Sequence, residues 1–195
     1  MKNEVNFIKD LEKYTDNELL DMIEPDNNRR NPAFRELYYR YAKSLHLFSR
    51  HNSYNYDVAQ NAFQEAWITL FENLIAGKKI QSVSAFLVTV CRRRIIDNIR
   101  KAGESPVFVT VTEIEDTMEM IEEDDSATRN QLIENAIDSL EEKYREAFIM
   151  NKINGLKISE IAEITGESTD CIKKRVSRAT EKVKIIIQKQ LKRSE

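Results

Sequence analysis

Glycine and proline are scarce in this chain, with four and three among 195 residues. An all-β fold built on tight turns needs many more of both, so the count argues against that class. No apolar run approaches the roughly 20 residues that a membrane-spanning helix requires. The opening, MKNEVNFIKDLEKY, is too polar for a secretion signal. A cytoplasmic protein with no direct membrane insertion is therefore expected. The two cysteines, Cys91 and Cys171, lack metal-ligand spacing, and both read as small buried residues in a reducing compartment. His46 and His51 stand apart from any cysteine or acidic ligand cluster, so solvated or structural roles are expected. There is no Gly-rich phosphate loop, no His paired with a Cys nucleophile and no metal-spaced ligand set. No catalytic residue, metal or cofactor is expected, and the chain does not read as an enzyme.

What is abundant is helix-forming sequence and charge. Apolar residues make up 41 % and charged residues 32 % of the chain, and helix formers dominate nearly throughout. The expected fold class is all-α. Thr15 to Glu18 form a capping box ahead of Leu19, Leu20 and Ile23, and Pro25 ends that helix. A second helix starts after Asn31 with Pro32 in its first turn. Phe34, Leu37, Tyr38, Tyr41, Leu45 and Phe48 recur along it at steps of three or four, the spacing of one buried face. A third helix, from about Asp57 to Leu74, carries Ala59, Phe63, Ala66, Trp67, Leu70, Phe71 and Leu74. A loop with Lys78 and Lys79 follows, and Ser82 or Ser84 caps a fourth helix with a basic tail.

The net charge of −3 hides a strong segregation. Nine acids and no base lie between Ala102 and Thr128, whereas nine bases face one acid, Glu181, between Cys171 and Arg193. Local fields of this kind steer binding more than the total charge does. The division expected is a helical domain at 1–102, a flexible, solvated acidic linker at 103–128 and a second helical domain at 129–195.

Residues 157–178, KISEIAEITGESTDCIKKRVSR, carry the most specific signal. They read as a helix, a turn at Gly166 and a basic second helix. Ala162 permits a close helix crossing, Gly166 allows a left-handed turn, and Ser168, Thr169 and Asp170 offer capping side chains. Ile172, Val176, Ala179 and Val183 are expected to face the core. Lys173, Lys174, Ser177 and Arg178 then face outward, as in a helix-turn-helix whose second helix enters a DNA major groove. Arg175 and Lys182 are placed nearer phosphates. A second basic cluster, Arg92, Arg93, Arg94, Arg100 and Lys101, lies on the tail of the fourth helix. Beside it the loop supplies Lys78, Lys79, Gln81 and Ser82, a set suited to a single strand with an unstacked base. Phe86 reads as core first and stacking platform second.

In order along the chain, four segments resemble one family. These are TDNELLDMIEP with NPAFRELYYRYA, DVAQNAFQEAWITLFENL, SAFLVTVCRRRIIDNIRK, and the run from Ile137 to Ala179. Together they resemble a bacterial RNA polymerase sigma factor of the sigma-70 family, extracytoplasmic-function (ECF) type. The resemblance implies a protein that binds core RNA polymerase, recognises promoter DNA and directs melting and initiation. It implies polymerase contacts to the β′ clamp helices through Asp57, Gln60, Asn61, Gln64, Glu65 and Thr69, and to the β flap through the C-terminal domain. It implies minus-ten contacts from Lys78, Lys79, Gln81, Ser82, Phe86, Arg92, Arg93, Asn98, Arg100 and Lys101. It implies minus-thirty-five contacts from Ser168, Thr169, Lys173, Lys174, Arg175, Ser177, Arg178 and Lys182. An anti-sigma factor is a further expected partner. The chain departs from the family at Gln60 and Asn61, where acids are usual, at Asn98, often aromatic, and at Lys174, often Ser. A helix-turn-helix regulator using the C-terminal domain alone, a sigma-like protein unable to initiate and a helical scaffold are the competing readings.

Overall fold

Capping side chains set where most helices begin, and buried apolar stripes set how they pack. The computed structural model describes residues 11–23, 31–102 and 124–191, with 102, 124–130 and 191 by backbone only. In helix α1, Asp16–Asp21, Glu18 N–H donates to Thr15 Oγ1 and Thr15 N–H donates to Glu18 Oε2, which completes the capping box. Pro25 lies outside the described residues. Helix α2, Pro32–His51, is capped by Asn31, whose Oδ1 accepts from Ala33 N–H at 2.8 Å while its amide donates to Met22 O at 3.2 Å. One side chain therefore starts α2 and ties it to the end of α1. Arg40 extends the tie, donating to Asp16 at 3.1 Å and to Glu36 at 2.8 Å, and Tyr41 donates to Asp16.

Helix α3, Tyr56–Ile75, is capped by Asn55, which accepts from Val58 N–H at 2.8 Å, a signal the sequence reading passed over. Its stripe packs on α2 through an aromatic cluster. Phe34 meets Trp67 and Phe71 edge-on at 5.9 and 5.3 Å, and Tyr38 lies 4.9 Å from Trp67. Pairs of this geometry contribute about 0.5–1.5 kcal/mol beyond their buried area. Helix α4 spans Val83–Ala102, and Ser82, not Ser84, caps it by accepting from Ala85 N–H at 3.2 Å. Cys91 is fully buried there, and burial pushes its thiol up, so it is unreactive filling.

Residues 103–123 of the acidic stretch lie outside the described residues. Helix α5, Asp124–Asp138, begins inside the range read as linker. Helix α6, Glu142–Phe148, runs into a π-helical turn, Ile149–Ile153, closed by Asn154 N–H on Ile149 O at 2.9 Å. Helix α7, Ile158–Thr165, and helix α8, Thr169–Leu191, complete the second lobe.

The two lobes are in contact, an arrangement that the sequence leaves open. Ser84 Oγ donates to Asn154 O at 2.7 Å, and Arg92 Nε donates to Glu146 Oε1 at 2.8 Å. His51 Nδ1 lies 2.6 Å from Asp138 Oδ1, and Arg50 pairs with Glu134. His51 is thus a buried structural group with an acid beside it, a neighbour that sequence spacing did not reveal.

Candidate nucleic-acid interface

Gly166 makes the helix-turn-helix possible. Its φ is 74°, and the amides of Gly166 and Glu167 both donate to Ala162 O, at 2.9 and 3.2 Å. A side-chain residue in this left-handed conformation is strained, whereas glycine is not. Ser168 Oγ then accepts from Cys171 N–H at 3.2 Å and starts α8. The inner face of α8 is as expected, with Ile172, Val176, Ala179 and Val183 all buried. The opposite face exposes Lys173, Lys174, Ser177 and Arg178, and Ser168 and Thr169 are exposed at its leading end. Cys171 is only partly buried, because it sits at the edge between those two faces.

Not every basic residue of α8 is equally available. Arg175 is half-buried and donates to Glu167 Oε1 at 2.8 Å, which holds the Glu167 carboxyl below the usual carboxylate range. Lys182 Nζ stands 5.3 Å above the Tyr144 ring and 3.5 Å from Glu141, and Arg178 reaches Tyr144 Oη at 3.5 Å. Tyr144 of α6 therefore gathers two of the cations, a role its core spacing did not announce.

In the first lobe, Lys78, Lys79 and Gln81 are exposed on the loop after α3, and Arg93, Arg100 and Lys101 are exposed on α4. Arg93 and Arg100 are seven residues apart, two turns, so they share one side of the helix. The other members of this set have structural ties. Ser82 is the α4 cap, Phe86 packs half-buried against the core, and Asn98 donates to Arg94 O at 2.8 Å. Arg92 is turned toward the second lobe, where it also reaches Ile164 O at 3.4 Å.

Along α3, Asp57, Asn61, Gln64, Ile68 and Ile75 are exposed at helical spacing and form a single stripe. Gln60, Glu65 and Thr69 flank it half-buried, and Glu65 pairs with Arg94 of α4. Ile68 was missed by sequence reasoning. The signal was there, an isoleucine out of phase with the buried stripe. Among the described residues no group of three His, Cys, Asp or Glu is arranged to hold a metal ion.

Residues 130–183 match the family described as sigma-70, region 4. The chain is 30 % identical over 128 residues to the ferric citrate uptake sigma factor FecI of Escherichia coli (strain K12), a match covering 64 % of this chain and 71 % of that one. It is 32 % identical over 132 residues to RNA polymerase sigma factor SigZ of Bacillus subtilis (strain 168), covering 68 % and 72 %. Both matches are longer than either lobe, which sets aside a regulator built from the C-terminal lobe alone. The fold is similar to that of sigma factor RpoE from Bartonella quintana, solved with the anti-sigma factor NepR. The TM-score is 0.59 at 22 % identity, covering 80 % of this chain and 96 % of that one. With both lobes accounted for, the chain belongs to the sigma-70 family of bacterial RNA polymerase sigma factors, ECF type, and as such binds core RNA polymerase and promoter DNA to direct transcription initiation.

Proposed function

We propose a division of labour between the two lobes, with residues 1–102 acting as the minus-ten and clamp-binding domain and 129–195 as the minus-thirty-five domain. The observation that carries it is the outward face of α8, where Lys173, Lys174, Ser177 and Arg178 are exposed above a fully apolar inner face. These four read base edges, while Arg175 and Lys182 lie toward phosphates, and Ser168 and Thr169 flank the helix start. Lys78, Lys79, Gln81, Arg93, Arg100 and Lys101 hold the melted minus-ten strand. The α3 stripe around Gln64 docks on the β′ clamp helices. The protein acts in the cytoplasm and supplies no catalytic group, the chemistry belonging to the polymerase. An anti-sigma factor is its further partner, a reading supported by the likeness to RpoE, which was solved with one.

The test is transcription in vitro from a fragmented genomic library, with core polymerase and this protein alone. Discrete start sites sharing two upstream elements are expected. Lys174→Ala should shift promoter preference at the upstream element by about 1–3 kcal/mol on the favoured base, and Lys182→Ala should weaken all promoters alike and lower the salt slope by about 1. Equal losses from both variants on every promoter would sink the assignment.

A further inference from the structure

Lys174, Arg178 and Lys182 follow one another at four-residue steps along one side of α8, and all three are exposed. Like charges in such a row repel, so nothing within α8 itself fixes where their side chains point. Tyr144 of α6 reaches the last two. Its ring packs half-buried against the core. Arg178 Nη1 stands 3.5 Å from its hydroxyl oxygen, and Lys182 Nζ stands 5.3 Å from its ring centre. Lys143 Nζ lies 5.5 Å from the same ring, and Glu141 lies 3.5 Å from Lys182. Core packing holds the body of Tyr144 still, so its hydroxyl is a fixed point to which a flexible arginine comes. An unheld arginine loses rotamer freedom when it binds, and a held one has already lost it. A guanidinium has five N–H donors, and a hydroxyl that accepts from Nη1 leaves the edge formed by Nε and Nη2. That edge is a two-donor fork, the shape that guanine O6 and N7 accept.

We propose that Tyr144 is a positioning residue for the upstream promoter element: its hydroxyl holds Arg178 with that fork turned to a guanine, and its ring, with Glu141, holds Lys182 for a phosphate. Two neighbouring cations of one helix are thereby given different tasks by a side chain of another helix. Part of the base preference then comes from a residue of α6 that itself touches no base. The inference rests on the assignment of Arg178 to base edges and of Lys182 to phosphates.

The experiment uses the full chain with core polymerase on a promoter taken from the genomic library, with each base pair of the upstream element substituted in turn. Arg178→Ala identifies the guanine it faces, as the position where that variant no longer discriminates. Tyr144→Phe keeps the ring and its packing, and should cut the preference for that guanine about threefold, the size of one modest hydrogen bond. Tm, the salt slope and the preferences at other positions should not move. In the Arg178→Ala background Tyr144→Phe should change no preference, because its partner is gone. Tyr144→Leu also removes the ring, and should weaken every promoter by a further factor of about two to five. That further loss should vanish in the Lys182→Ala background. A tyrosine that only fills space would instead lower Tm and weaken all sequences alike in every background, and this result overturns the proposal. So does an intact guanine preference in Tyr144→Phe at the position where Arg178→Ala abolishes it, while the assignment of Arg178 to base edges then stands. If Arg178→Ala leaves every preference intact, that assignment fails and the positioning role falls with it.

Discussion

Arg175 Nη2 donates to Glu167 Oε1 at 2.8 Å, so a cation of the basic helix α8 is bound to the turn that precedes it. The pair fixes the Arg175 side chain beside α8 and lowers the positive field at its leading end. Glu167→Gln should release that cation. Affinity for duplex DNA should then rise severalfold on any sequence, with the salt slope steeper by about 0.9. Titration of wild type and variant at several salt concentrations checks this, and an unchanged slope would remove Arg175 from the phosphate contacts.

Gly166→Ala tests the turn in isolation. A Cβ built at Gly166 meets no atom within 4 Å, so the only cost is backbone strain at φ +74°. That strain is about 1–2 kcal/mol, a fall in Tm of several degrees for a domain of this size. Gly166→Asn should cost less, since asparagine tolerates the left-handed region. Thermal unfolding that ranks the two alike would contradict the strain account.

Ile68 is 47 % exposed on the α3 stripe next to Gln64, with Ile75 further along at 38 %. If the α3 stripe docks on the polymerase as proposed, an apolar residue at its centre is a natural anchor. Ile68→Glu should reduce binding to core polymerase by tenfold or more, an order-of-magnitude figure for losing a buried anchor. It should leave Tm unchanged, because Ile68 lies outside the core. Co-purification with core polymerase alongside a melting curve separates the two effects.

Glu142 gives a pH dependence whose sign is fixed by its environment. Its folded pKa is raised from 4.5, chiefly by burial and then by Glu146. Between the unfolded and folded values the native state binds more protons than the unfolded one. Stability from this group is therefore greatest in acid and falls as pH rises through that window. Glu142→Gln should raise Tm at neutral pH and make no difference below the unfolded pKa. A Tm gain that is the same at pH 4 and pH 7 would point to a different cause.

Several parts of this protein were readable in one dimension because they depend on neighbours in sequence. The Thr15–Glu18 capping box, the Asn31–Pro32 start and the turn at Gly166 are local hydrogen-bonding and backbone rules, and each forms as its residues dictate. The inner face of α8 followed from periodicity alone. The cap at Asn55 was equally local and was passed over, while the choice of Ser82 over Ser84 was not local. Ser84 falls inside the helix that begins at Val83 and donates its hydroxyl to Asn154 O, 70 residues away.

The charge pattern likewise announced which surfaces are basic but not which of their cations already have a partner. Sequence alone determined the helices, their buried faces and the basic outer face of α8, because propensity, capping and periodicity act over a few residues. Only the tertiary structure decided that Arg175 serves Glu167, that Tyr144 gathers Arg178 and Lys182, and that Arg92 faces Glu146 across the lobes. Those partners are set by packing between distant helices, and a charge finds its counter-charge in space, not along the chain.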